Sequence, residues 1–210
     1  MARRVPGTGL APTRHPGTTT AAKTMSTPAP PADRAAARDD NPPHDVAADD
    51  VVALLTRQHR QVETLLGQLL DATGPSERAR ALALTADELA VHMGAEEAVF
   101  YPAVRAARTE DVLLESLEEH LSLKRLLADL IALDPDQPTF EPKCKVLDEQ
   151  TRHHHGEEEQ HLFPKVQRLL DAQSRVDLGR AVRNDEERLR AQGVPRAAVP
   201  EQTDSAEPLG

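Results

Sequence analysis

The 210-residue sequence predicts an all-α fold: an up-down four-helix bundle with an additional C-terminal helix and disordered termini. Three observations lead there. Four long segments place apolar residues in alternating steps of three and four, the period of a helix with one buried face. The chain has no Trp, one Tyr and three Phe, so its core must come mostly from Leu, Val and Ala, which favours helices over sheets. Finally, the segment HMGAEEAVFYPAV starting at His92 matches HHGEEEQHLFPKV starting at His154, position by position. Such an internal repeat reports architecture, here two similar helix pairs.

Residues 1–45 hold eight of the seventeen prolines and almost no large apolar side chains. They cannot bury enough surface to offset the entropy of ordering, and a disordered N-terminal tail is expected. Arg3-Arg4 is not followed by an apolar stretch and reads as part of that tail rather than an export signal, and Met25 offers a second start. The bundle is expected over 46–172. Its first helix begins near Asp49, with a seam of Val52, Leu55, His59, Val62, Leu66 and Leu69. Thr73-Gly74-Pro75 should end it, with Ser76 capping the next. The second seam runs Leu82, Thr85, Leu89, His92, Glu96, Val99. The third, from about Glu110, runs Leu113, Leu117, His120, Lys124, Leu127, Ile131 and stops at Asp134-Pro135. The fourth starts near Pro142 and runs Cys144, Leu147, Thr151, His154, Glu158, Leu162, Val166, Leu169. Pro102 and Pro164 should kink or end their helices. An amphipathic helix over 173–192 packs outside, and 193–210 is expected to be disordered.

The charge balance excludes some functions. Lys and Arg number 25 against 35 Asp and Glu, and the first 45 residues carry six Lys/Arg against four Asp, so the acidic excess lies in the helical body. An acidic body without a basic stripe argues against nucleic acid and anionic membranes as partners. No apolar run approaches the roughly 18 residues that cross a bilayer. The single cysteine, Cys144, excludes an intramolecular disulfide and fits a reducing, cytoplasmic location.

Each of the four seams carries one histidine, and the second and fourth add a glutamate four residues later. Residues four apart on a helix lie on one face, so His92 with Glu96, and His154 with Glu158, each present nitrogen and oxygen to one point. His59 to His92 is 33 residues and His120 to His154 is 34, so folding brings four His and two Glu to one level. Burying two carboxylates costs several kcal/mol each unless cations compensate them, and Lys124 is the only fixed positive charge among the seam residues. A metal ion resolves this. Six donors suit two ions, His59 with His92 and His120 with His154, the glutamates bridging. Imidazole and carboxylate without thiolate favour Fe or Mn and permit Zn. Glu97 and Glu159 lie off the seam, as surface charge or as hydrogen-bond partners of ligands. His153, His155 and His161 are expected to face solvent, and Cys144 to pack in the core.

The set His59, His92-x3-Glu96, His120, His154-x3-Glu158, with an aromatic-Pro pair after each half-site, resembles the hemerythrin-like (HHE cation-binding) family over about residues 49–170. That resemblance implies a four-helix bundle around two iron ions bridged by oxo or hydroxo, meeting O2, H2O2 or NO. The alternative reading is an iron, oxygen or redox sensor acting through a protein partner. Two departures separate the chain from oxygen-carrying hemerythrins. Lys124 stands where those proteins have a second third-helix histidine, and their fourth-helix carboxylate would fall on Glu159. Glu158 lies on the apolar seam and mirrors Glu96, so it is the expected ligand. Lys124 is expected to leave one iron short of a histidine.

Overall fold

A computed structural model describes residues 49–106 and 108–209; the expected tail, 1–45, lies outside them. The Asp50 carboxylate accepts from the Val52 N–H at 3.0 Å and so caps α1, Val51–Asp71. Gly74, at φ 81°, turns the chain into α2, Pro75–Ala95, a left-handed backbone that glycine adopts without steric cost. Ser76 therefore lies inside the helix instead of capping it. The Glu77 carboxylate accepts from the Thr73 N–H instead, at 2.9 Å.

Helix α2 continues through a π-helical turn, π1 (Glu96–Phe100), into the short α3 (Tyr101–Val104). After α4 (Glu110–Ala132), the same sequence of elements recurs as α5 (Phe140–Glu157), π2 (Glu158–Leu162) and α6 (Phe163–Leu169). Each π turn closes one residue before a proline: Tyr101 N–H bonds the Glu96 carbonyl, and Phe163 N–H bonds that of Glu158. Pro102 and Pro164 lack an N–H, and their rings need clearance from the carbonyl four residues back. A turn widened by one residue provides it without ending the helix.

That extra residue rotates the faces beyond it. Phe100, Tyr101 and Val104 are buried where Val99 was expected inward. Leu162, Phe163 and Val166 are buried, whereas Leu169, an expected seam residue, is 46% exposed.

The chain is all-helical among the described residues. Helix α1 packs on α2 and α5, and α4 packs on α5 and α2. Two apolar clusters form the core. One holds Leu55, Phe100, Leu117, Leu162 and Val166; the other holds Val62, Leu89, Leu123, Leu127, Cys144 and Leu147. Along α1, α2, α4 and α5 the seam histidines, with their glutamates, fall between members of the two clusters.

The last helix, α7 (Ala172–Ala191), packs on α1, α2 and π1. Gly179 permits this docking, since a Cβ there would lie 1.9 Å from the Asp49 carbonyl oxygen. Charge then fixes it: Arg175 Nε pairs with Asp50 at 2.6 Å and Arg183 with the buried Asp49 at 2.9 Å. Gly94 serves the same contact, its Cα facing Leu189 so closely that a Cβ would stand 3.1 Å from Leu189 Cδ1. The expectation of a disordered end from 193 onward is corrected here. Pro195–Gln202 forms a 3-10 helix packed on α2 and α4, anchored by the buried Val199 and by Arg196 on Asp87. Its polarity misled because a single apolar anchor and backbone-to-side-chain bonds hold it, Arg125 donating to the Thr203 and Asp204 carbonyls.

Candidate metal centre

His59 on α1, His92 on α2, Glu96 on π1, His120 on α4, His154 on α5 and Glu158 on π2 converge in the layer between the clusters, none more than 2% exposed. The six residues chosen from sequence spacing are thus brought together. Their imidazoles share one orientation. Each Nδ1 faces an outer acceptor: His59 to Glu159 at 2.8 Å, His92 to Gln58 Oε1 at 3.2 Å, His120 to Glu97 at 3.0 Å, His154 to Glu119 at 2.8 Å. An Nδ1–H held by an oxygen leaves the Nε2 lone pair free and aimed, the arrangement that metal-ligating histidines use.

The Nε2 atoms point inward at the two carboxylates. Glu96 Oε2 lies 3.4 Å from His92 and 3.5 Å from His120; Glu158 Oε2 lies 3.2 Å from His59 and 3.8 Å from His154. Each glutamate thus touches one histidine of each helix pair. Yet His59 Nε2, His92 Nε2, both oxygens of Glu96 and Oε2 of Glu158 are buried without a hydrogen bond. Unsatisfied buried polar atoms are rare and costly, and five converging on one volume fit a cation. The donors group as His59, His92, Glu96 and Glu158, and as Glu96, His120 and His154, in either of which a metal ion can be held.

The protonation balance shows the same deficit of positive charge. Burial, then the neighbouring Glu158 charge, pushes the Glu96 carboxyl well above its ordinary range. Burial also acts upward on Glu158, but the His154 charge and the nearness of His59 outweigh it and bring Glu158 down to about 2. Burial holds His92 and His120 well below the usual imidazole range. For His154 the burial effect is overcome by Glu158 and Glu119, which raise it.

The duplicated Glu-Glu pair divides its labour. The first glutamate points inward, while the second clasps a histidine in the other half of the repeat: Glu97 holds His120, and Glu159 holds His59. Of the two alternatives left open for Glu97 and Glu159, the hydrogen-bonding one is observed. Each clasp is backed by a cation, Lys124 at 2.6 Å from Glu97 and Arg60 at 2.5 Å from Glu159. Lys124 is buried, and its ammonium pairs with Glu97.

Two further groups join this layer; the sequence left Tyr101 either beside the site or packed at the bundle end, and pointed His155 to solvent. Tyr101 is fully buried, and its hydroxyl donates to Glu158 Oε1 at 3.0 Å and lies 3.1 Å from His120 Nε2. The π turn puts it there, since in a regular α-helix five residues would leave it about 140° from Glu96. His155, expected in solvent, is 1% exposed and stacked on His59 with centroids 3.9 Å apart. Helix α5 has both α4 and α1 as neighbours, so its buried arc spans the 100° between His154 and His155 and is wider than a one-residue seam. His153 and His161 are exposed, as expected.

A family model described as the hemerythrin HHE cation binding domain matches residues 50–166, more than half of the chain. A DNA nickase from Nostoc sp. (strain PCC 7120 / SAG 25.82 / UTEX 2576) is 28% identical over 129 residues, covering 61% of this chain and 36% of the nickase. The chain therefore spans about a third of that relative's length. No solved structure matches significantly.

Proposed function

The chain belongs to the hemerythrin HHE cation-binding family, and on that premise we propose that it is a non-haem di-iron protein, an up-down four-helix bundle that binds or reacts with small oxidants. The observation that carries this reading is the doubly shared carboxylates. Glu96 and Glu158 each touch one histidine of each pair, as bridges between two ions would, and their oxygens lack other partners. His59 and His92 would hold one ion, His120 and His154 the other. When bound, iron supplies one-electron exchange with peroxide, nitric oxide or dioxygen; manganese or zinc fit the donors less specifically.

The protein's own part is orientation, exclusion of water and proton placement. Glu97, Glu119, Glu159 and Gln58 hold each Nδ1 so that each Nε2 is turned inward, where it would face an ion. The flanking apolar clusters keep the layer dry, which strengthens every charge inside it. Tyr101 keeps its phenolic proton, because burial and the Glu158 and Glu96 charges push its pKa well above the ordinary tyrosine range. That proton sits between Glu158 Oε1 and the His120 side of the centre, available to a developing negative charge.

DNA stays outside this reading despite the nickase's name, since the 35 Asp and Glu against 25 Lys and Arg leave no excess of cations for phosphates. No described helix is long and apolar enough to cross a membrane. One contact favours a second reading as a sensor. Gln58, which faces His92 Nδ1, donates at 2.5 Å to Glu186 on α7, so a change at the metal layer reaches an outer helix that a partner protein can read. Repeated peroxide consumption by iron-loaded protein, absent from metal-free protein, supports the oxidant reading. Stoichiometric oxidation without turnover, with altered protection of α7 from hydrogen exchange, supports the sensor.

A further inference from the structure

His155 does nothing that a core residue should. Both of its ring nitrogens are buried without a hydrogen bond, although either can donate or accept. Glu63 Oε1, the near carboxylate, stands 3.7 Å from Nδ1, beyond hydrogen-bonding reach. A leucine or phenylalanine would fill this place without leaving polar atoms unsatisfied, so an imidazole here costs stability unless something binds it. The ring is edge-on to His92, centroids 5.6 Å apart, and stacked within 4° of parallel on His59, so sharing an ion with His59 requires it to turn out of that stack, since an ion lies in the plane of each imidazole that binds it. One nitrogen from each of His59, His92 and His155 falls within 4.8 Å of the others, close to the roughly 4.2 Å that two imidazoles on one ion can span.

The repeat shows why the position is unusual. His154 aligns with His92, so His155 aligns with Met93, which is equally buried in the apolar core. The two halves of the centre match in their four histidines and two glutamates and differ here. We propose that His155 is a fifth imidazole ligand, which completes a three-histidine position with His59 and His92 and leaves His120 with His154 as the weaker, two-histidine position. This rests on the di-metal reading above. It places the chain's extra histidine at the opposite ion from the one that Lys124 leaves short.

The test uses the full chain, metal-free, titrated anaerobically with Co2+ and followed by visible absorption. Wild type should bind two ions in two steps of unequal affinity. His155→Phe keeps the ring against His59 but removes both nitrogens. It should weaken the tighter step about tenfold or more and leave the weaker step in place. Unchanged affinities in His155→Phe would overturn the proposal. Wild type binding no Co2+, or one ion, would instead remove the di-metal reading beneath it. Should His155→Phe fail to fold, the wild type still decides. Its Co2+ form should show five hyperfine-shifted, exchangeable imidazole N–H signals in proton NMR, and four would leave His155 unligated.

Discussion

Lys124 Nζ lies 2.6 Å from Glu97 Oε2, while the other oxygen of that carboxylate accepts from His120 Nδ1 at 3.0 Å. The lysine that replaces a ligand therefore acts on the centre through the glutamate that orients one. Burial raises the Glu97 carboxyl, and the Lys124 charge pulls it back toward its ionised form. Lys124→Met removes that cation from a nearly buried pair. Metal content at saturation should persist, metal affinity should fall about tenfold, and the metal-free fold should lose on the order of 2 kcal/mol. Chelator competition and thermal melts read both. A variant with wild-type affinity would reduce Lys124 to a filler of space.

Glu158 and Glu159 should separate by the kind of loss they cause. Glu158→Ala removes a shared donor and should lower stoichiometry. Glu159→Ala frees His59 Nδ1 and should keep stoichiometry at saturating metal while weakening affinity about 10–100-fold. Equal loss of stoichiometry in both would move the donor to Glu159.

Glu96→Gln should have opposite effects with and without metal. Glu96, whose folded value is raised, contributes stability present below about pH 4.5 that is lost as pH rises through that raised value. At neutral pH the metal-free variant, relieved of that charge, should melt higher than metal-free wild type, by about 2–4 °C for each kcal/mol gained. With metal the order should reverse. Lower melting of the variant in both states would mean that Glu96 is satisfied without a cation.

The pH response of the metal-free fold follows from its histidines. Burial holds His92, His120 and His155 well below 6.5. Below that pH the unfolded chain binds more protons than the fold, so stability should fall as pH falls from about 7 to 5. His154 and Glu96, both raised, work in the other direction and make the slope shallower. Protons also compete with metal for the same nitrogens, so the loaded protein should lose its ions over the same range. Melting temperatures rising steadily from pH 7 to pH 5 in the metal-free protein would contradict this account.

Gly179→Ala tests the docking of α7. The atom in the way belongs to the Asp49 backbone and cannot rotate aside, so the substitution should cost about 1–3 kcal/mol. Because Glu186 on α7 holds Gln58, metal affinity should fall as well. An unchanged melting temperature would show that the helix is docked loosely.

How far the sequence could be read depended on phase. The ligand-bearing seams keep strict helical period from Val52 to Leu69 and from Leu82 to Glu96, so buried and polar positions followed from spacing alone. After Glu96 and Glu158 the period breaks by one residue, so spacing alone left Tyr101 either beside the site or packed at the bundle end, and the π turns before Pro102 and Pro164 decide it. His155 was hidden differently. It stands 100° from His154, and a seam one residue wide leaves it outside although the helix has two buried neighbours. Glu97 and Glu159 were ambiguous because their partners, His120 and His59, come from the other half of the repeat, which local spacing cannot show.

The most direct test of the centre is iron content per chain after anaerobic reconstitution, read with near-ultraviolet absorption, for wild type, Glu96→Ala and Glu158→Ala. The geometry predicts about two irons with ligand-to-metal absorption in wild type and a sharp loss of both in each variant, since each removes a donor shared by two ions. Wild-type protein that takes up no iron, or variants that keep full occupancy, would contradict it.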